Sequence, residues 1–277
     1  MVLIAESGST KTDWRLVKDD NVLSFSTIGF NPYHITATEI RRELQQSELK
    51  SVAKQVSQLY FYGAGCSSVE KNELIRGALA HFFTQANIEV NHDLLAAARA
   101  SCGTSEGMAA ILGTGSNSCL FNGKVITTNI PALGYVLGDQ GSGVHMGKTL
   151  VQLFLGNELP KDLAEQFKET YNYELGDILN AVYKEPLPNR FLAQFTKFIK
   201  TQEQHPVINT LVKNCFQEFF DKTICKYSNY QDYKLNVVGS IGVVFEKQLQ
   251  KVAATNNVEL GRIIKSPVEE LLQFHTS

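Results

Sequence analysis

Twice in this chain a short β-prone run stops at a turn of small residues and returns directly into another strand. Val2 to Ala5 ends at Ser7-Gly8-Ser9-Thr10 and resumes from Asp13 to Val17, and Met108 to Leu112 ends at Gly113-Thr114-Gly115-Ser116 and resumes as Asn117 to Phe121. A strand that doubles back through a few small residues forms an antiparallel hairpin, so each turn opens a meander. The third strands are Val22 to Ser26, beyond Lys18-Asp19-Asp20-Asn21, and Lys124 to Thr128, beyond Asn122-Gly123.

The segments after each meander complete an alternating pattern. In the first half, Thr36 with Glu39 and Ser67 with Glu70 have the spacing of a capping box and predict two helices. Gln58 to Tyr62 is a strand ending at Gly63-Ala64-Gly65, and Ile88 to Asn91 is a strand that leads into the alanine-rich helix Leu94 to Cys102. The order βββαβαβα is that of an α/β fold with a mixed sheet and crossover helices. The second half adds a long helical section, roughly Val144 to Ser228, broken near Pro160, Pro186 to Pro188 and Pro206. It then gives a strand at Lys234 to Val238, a helix at Val243 to Ala254, a strand at Val258 to Ile264 and a terminal helix opened by Ser266-Pro267 with Glu269. We therefore expect domains at 1–104 and 105–277, with the terminal helix able to pack back on the first.

Composition narrows the function. Lys and Arg number 26 against 28 Asp and Glu, which offers no cationic face for nucleic acid. Hydrophobic residues make up 43% and charged residues 19% of the chain, too apolar for disorder. Nowhere do about 18 apolar residues run together, so no membrane partner is expected. The five cysteines, Cys66, Cys102, Cys119, Cys215 and Cys225, are scattered without a C-x-x-C pair, which suggests neither a disulfide framework nor a zinc site and fits a cytoplasmic protein.

The turns carry the chemistry. The first cannot be a Walker loop, because that needs G-x-x-x-x-G-K-[ST] and a following helix. Glycine and small hydroxyls let backbone amides approach an anion, with Thr10, Lys11 and Thr12 as further donors, although one such turn alone reads as an ordinary hairpin rich in turn formers. Two at the same point of each half make a natural clamp for a polyphosphate. Gly239-Ser240-Ile241-Gly242 closes a strand and opens a helix, where α/β sheets receive nucleotides or simply turn tightly. Asp93 reads as an N-cap of the helix from Leu94, and Asp139, among Gly138, Gly141 and Gly143, as a local turn former. His145 reads as structural, and Lys11 as either solvated or touching phosphate. The stripes Phe191, Phe195, Phe198 and Phe216, Phe219, Phe220 read as helix core or as the interface of a homodimer.

Taken together, Glu6 to Asp13, Asn91-His92-Asp93, Leu112 to Asn117, Gly134 to Ser142 and Val238-Gly239-Ser240 resemble the N-acetylglucosamine kinase branch of the sugar kinase, Hsp70 and actin superfamily. They are particularly similar to bacterial N-acetylmuramate/N-acetylglucosamine kinases, a branch that also resembles the benzoyl-CoA reductase activator ATPases. The resemblance implies two ribonuclease H-like (actin-like ATPase) domains with a central cleft, the second enlarged by helices. It also implies ATP and Mg²⁺ as cofactors, a small-molecule sugar phosphorylated on its C6 hydroxyl, and a place in amino-sugar metabolism and cell-wall recycling. By the same likeness Gly8, Ser9, Thr10, Lys11, Thr12, Gly113, Thr114, Gly115, Gly239 and Ser240 bind ATP, and Asn31, Ser116, Asn117, Gly134, Tyr135 and Asp139 bind the sugar. Asp93 takes the hydroxyl proton, and Glu6, where many superfamily members have Asp, serves the metal indirectly. Leu133 stands where animal N-acetylglucosamine kinases have Trp. Two other functions fit the same turns: an activator-type ATPase serving a partner enzyme, and a nucleotide-binding protein without catalysis.

Overall fold

The structure is a computed structural model and describes residues 1–8, 10–18 and 21–276. Its first compact unit comprises Met1–Thr104, Gly123–Val125 and the terminal segment from Ser266, and its second comprises Ser105–Asn122 and Ile126–Lys265.

In the first unit β1 (Val2–Ser7), β2 (Lys11–Lys18) and β3 (Asn21–Ile28) form the meander, followed by α1 (Ala37–Gln46), β4 (Gln58–Gly63), α2 (Val69–Phe82), β5 (Asn87–His92) and α3 (Asp93–Cys102). The sheet order is β3-β2-β1-β4-β5; β2 pairs antiparallel to β1, while β4 and β5 run parallel to it. Period-2 alternation sorts the two faces of β2: Thr12, Trp14 and Leu16 are buried, and Lys11, Asp13 and Arg15 take the other side. Trp14 lies 6.0 to 6.2 Å from the rings of Phe30, Phe61 and Phe83, and its indole N–H donates to Thr27 Oγ1 at 2.9 Å. An indole buried among aromatic rings needs that acceptor.

Thr36 and Glu39 form the expected capping box on α1. On α2 the cap moves one residue along: Ser68, extended at φ −141, accepts from Lys71 N, because Ser67 is drawn into the Gly65 turn through its amide bond to the Gly65 carbonyl.

The second unit repeats the topology. Strands β6 (Glu106–Leu112), β7 (Ser116–Asn122) and β8 (Ile126–Ile130) form the meander, and the sheet order is β10-β9-β6-β7-β8, with β9 (Leu235–Val238) and β10 (Leu260–Ile264) parallel to β6. Between β8 and β9 lie α4 (Gly134–Leu137), α5 (Gly143–Leu155), α6 (Lys161–Tyr171), α7 (Leu175–Tyr183), α8 (Pro188–Ala193), α9 (Thr196–Thr201) and α10 (Pro206–Lys222). After β9 the expected single helix is broken at Phe245 into α11 (Ser240–Val244) and α12 (Glu246–Thr255). The break follows the core: Phe245 is fully buried. Phe195, Phe198, Phe216, Phe219 and Phe220 are all buried in this unit's own core, so these side chains are core and not a surface for a second copy. Among the described residues no helix is long and apolar enough to cross a membrane.

The last helix, α13 (Val268–Thr276), belongs to the first unit and packs on α3, β1 and β2. His275 stacks on Tyr60 with ring centroids 3.6 Å apart, and its Nε2 lies 2.7 Å from the Tyr62 hydroxyl. Arg99 Nη1 donates to that hydroxyl at 2.7 Å, so Tyr62 joins the Arg99 cation to the His275 ring. Burial pushes Tyr62 up to about 12, and burial followed by the Arg99 charge pulls His275 down to about 4. Because the unfolded chain binds this proton near 6.5, the contact stabilises the fold fully above that pH and loses its effect as pH falls toward about 4. In His275→Phe, which keeps a ring on Tyr60, the drop in urea midpoint between pH 7.5 and 5 should be smaller than in wild type. An identical drop would place His275 outside the acid response.

Candidate functional site

The first turn is built on a directed chain of hydrogen bonds. Phe30 N donates to Ser7 Oγ at 2.9 Å, Ser7 Oγ and Thr12 Oγ1 are 2.8 Å apart, and Thr12 Oγ1 donates to the Ile28 carbonyl at 2.9 Å. Since Thr12 gives its proton to Ile28, Ser7 must give its own to Thr12. Both hydroxyls are fully buried. Thr12 is therefore a brace behind the hairpin and not a donor at its tip, as its alternation with Trp14 and Leu16 requires. Gly8 N closes the turn on the Lys11 carbonyl at 3.0 Å, and Thr10 is exposed. Ser9 lies outside the described residues. Lys11 Nζ sits 2.7 Å from Asp13 Oδ1 on the opposite face from Thr12.

That face gathers negative charge. Glu6 is the cross-strand partner of Asp13, and burial, then the charges of Asp93 and Asp13, push its carboxyl up to about 7 against the opposing pull of Lys11. Hard carboxylate oxygens in this setting suit Mg²⁺ held largely by water and phosphate. Among the described residues no three His, Cys, Asp or Glu side chains converge closely enough to cage a metal by themselves.

Asp93 is not the N-cap of α3 but its first residue. The cap is His92, extended because β5 runs on through it as the partner of Gly63; its Nδ1 accepts from Leu94 N at 3.0 Å. Asp93 Oδ1 lies 2.8 Å from the same Nδ1. One ring nitrogen cannot accept from Leu94 and donate to Asp93 at once, so the first contact belongs to the ring with Nδ1 unprotonated and the second to a ring carrying a proton on Nδ1. Burial lowers the His92 pKa, but the hydrogen bond and charge of Asp93 more than offset it and leave it raised. With the helix amide satisfied by His92, Asp93 does not cap α3, and its buried Oδ1 has a hydrogen-bond donor only when His92 Nδ1 carries a proton. Asn31, buried after β3, turns the chain: its Oδ1 accepts from Tyr33 N at 3.0 Å and its carbonyl from His34 and Ile35.

The second turn is braced by a helix. Gly143 N and Val144 N, at the start of α5, donate to the Gly113 and Thr114 carbonyls at 2.9 and 3.0 Å, and Ser142 caps the helix on His145 N. Asp139, left-handed at φ 58, accepts from Ser116 N at 3.0 Å, and its carboxylate lies against Gly115 where a Cβ would collide. Burial raises the Asp139 pKa, opposed by the Ser116 amide and the Lys148 charge. Asn117 Oδ1 accepts from Ser118 N and Asn129 Nδ2, tying β7 to β8. Gly134 opens the short α4, followed by the half-buried Tyr135. Gly239, at φ 128, passes so close to the Leu112 carbonyl that a Cβ would overlap it, bringing the Gly239-Ser240 turn onto the Gly113 turn.

The first unit thus gathers Glu6, Gly8, Thr10, Lys11 and Asp93 at the ends of β1 and β5, and Ser7 ties Phe30, next to Asn31, to them. The second gathers Gly113, Thr114, Gly115, Ser116, Asp139 and Gly239. Sequence reasoning missed Lys148, whose Nζ donates to the Tyr135 carbonyl at 3.3 Å. The available signal was a lone cation in the otherwise apolar first turns of α5.

Neither a protein-family model nor a curated protein sequence matches the chain. Among solved structures it is similar to a candidate N-acetylglucosamine kinase from Porphyromonas gingivalis, at 41% identity and a TM-score of 0.94 over 99% of this chain and 98% of that one. It is also similar to a candidate N-acetylglucosamine kinase from Chromobacterium violaceum, at 14% identity and a TM-score of 0.73 over 99% and 98%. The ethanolamine utilization protein EutJ from Carboxydothermus hydrogenoformans matches at 14% identity and 0.53 over 97% and 86%. The fold is that of the actin-like ATPases, two ribonuclease H-like α/β units each built on a five-stranded mixed sheet. Within it, the chain belongs to the carbohydrate kinase family that includes the P. gingivalis protein.

If the close approach of Gly239 shapes the second site, Gly239→Ala should lower stability by about 1–3 kcal/mol, because both its φ and the Leu112 carbonyl oppose a side chain. Gly113→Ala, where a Cβ meets nothing within 4 Å, is the control and should change the thermal midpoint far less. Equal effects would show that the approach is not what selects glycine.

Proposed function

We propose that the protein transfers the γ-phosphoryl group of ATP, in the presence of Mg²⁺, to the C6 hydroxyl of an N-acetylated amino sugar, N-acetylglucosamine or N-acetylmuramate. The observation that carries this reading is that Asp93, at the end of β5, does not cap α3 and so keeps its carboxylate for a substrate, in a chain 41% identical to a candidate N-acetylglucosamine kinase. A carboxylate that the helix amides do not use suits a substrate hydroxyl, whose proton it would accept as general base.

In this reading Gly8, Thr10 and Lys11 of the first unit, and Gly113, Thr114, Gly115, Gly239 and Ser240 of the second, bind the nucleotide. Asn31, Ser116, Asn117, Gly134, Tyr135 and Asp139 orient the sugar. Phosphoryl transfer requires mainly positioning and charge stabilisation from protein, which braced turns with fixed backbone donors provide. Mg²⁺ would neutralise phosphate charge, with Glu6 as the carboxylate that orders its water. His92, which donates to Asp93 when its Nδ1 carries a proton, holds the base in its rotamer.

The test is ADP release from ATP with a panel of sugars and amino sugars, and NMR of the product to locate the phosphate. Asp93→Asn should reduce turnover about 10²-fold or more, while thermal stability and ATP binding stay near wild type, because His92 and not Asp93 caps α3. Retention of more than about a tenth of the turnover would remove Asp93 from the role of base.

A further inference from the structure

The loop that this reading assigns to the sugar has little of its own to hold it. No residue of α4 is buried, and Val136 and Leu137 are 68% and 73% exposed. Four residues of helix do not persist unaided, since the first turn fixes several dihedrals for a single hydrogen bond. The C-terminal half of the loop is tied down firmly: Ser116 N donates to Asp139, Ser142 N to the Asp139 carbonyl at 3.1 Å, and Gly141 N to His145 Nδ1 at 3.1 Å. The N-terminal half has an internal bond, Gly138 N to the Gly134 carbonyl at 2.7 Å, and one tie to α5, the donation from Lys148 Nζ to the Tyr135 carbonyl.

We propose that Lys148 is a positioning residue for the sugar: from α5 it latches residues 134–140 in the conformation that receives the substrate. The inference rests on the sugar reading of that loop, with the latch itself readable without any activity. Lys148 is placed for both halves of the loop. Its ammonium hydrogen-bonds the Tyr135 carbonyl and opposes the effect of burial on Asp139. His145, three residues earlier on the same helix, takes the Gly141 amide, so α5 mounts the loop at two points. Lys148 also lines, with Tyr135 and Val136, a cavity of about 420 Å³ whose other walls include Val151, Leu155 and Ile178. In that apolar setting a charge-assisted bond is stronger than at an open surface. The same cavity has room for a longer side chain, and the apolar stem of a methionine can lie where the lysine stem lies.

The experiment compares wild type, Lys148→Met and Lys148→Arg. Hydrogen exchange of the ligand-free proteins should be at least about tenfold faster over residues 134–140 in Lys148→Met, with the strands of both sheets unchanged and Lys148→Arg close to wild type, as loss of one charge-assisted bond predicts. In the same proteins the sugar KM should rise about tenfold or more in Lys148→Met, with the ATP KM within about twofold and Lys148→Arg restoring most of the loss. Unchanged exchange overturns the latch. Faster exchange with an unchanged sugar KM, or with equal rises in both KM values, overturns the positioning role. If wild type phosphorylates no sugar, the functional reading fails by itself, and the exchange comparison still decides the latch. Should Lys148→Met not fold, Lys148→Gln carries the same comparison.

Discussion

In each unit one strand is paired antiparallel on one side and parallel on the other, and this mixed pairing decides where everything else can stand. The antiparallel partner fixes a tight turn at the C-terminal end of β1 and of β6. The parallel partners, reached by crossovers, deliver their own C-terminal ends to the same edge. The first turn, the Gly63–Gly65 bend and Asp93 are therefore neighbours along one sheet edge, and so are the second turn and Gly239. Carboxyl ends of parallel strands are where α/β sheets receive ligands, because loops and helix starts there leave backbone amides without partners.

The two turns solve the same mechanical problem with different chemistry. A glycine-rich tip that must hold an anion loses binding energy if it has to be ordered on each encounter, so it is stiffened from behind. Under the first turn the stiffener is the buried hydroxyl chain from Phe30 through Ser7 and Thr12 to Ile28. Under the second it is the start of α5, whose first amides point into the turn's carbonyls, with the Asp139 carboxylate packed on Gly115. In both cases the threonine at the tip, Thr10 or Thr114, remains exposed.

Much of this was legible in the sequence because it depends on local signals. The hairpins, the order of strands and helices, the Thr36–Glu39 box and the proline breaks all follow from periodicity and turn chemistry. What was misread turned on one-residue phase. Ser67 and Ser68 both offer a hydroxyl, and only the Gly65 turn decides which one caps α2. Asp93 looks like a cap until β5 is known to run through His92. Thr12 looks like a donor until its parity with Trp14 is followed, a signal the sequence did contain. Lys148 has no motif, and its importance comes from a tertiary bond to a backbone carbonyl thirteen positions away, which no side-chain pattern encodes.

Electrostatics explains why the acidic edge of the first unit is compatible with a polyanion. Glu6, Asp13 and Asp93 act on one another with Lys11 as the opposing charge, and burial lifts Glu6 until it holds a proton for much of the time near neutral pH. Free nucleotide brought to the adjacent turn would add like charge to a group that is already poorly solvated. A nucleotide that arrives with a divalent cation reverses the sign of that interaction: the cation favours the ionised form of Glu6 and screens the phosphates from Asp93. Under the proposed function, a cation-compensated nucleotide would therefore meet less opposition at this edge than a bare one, and the same compensation would favour the Asp93 carboxylate beside the phosphates.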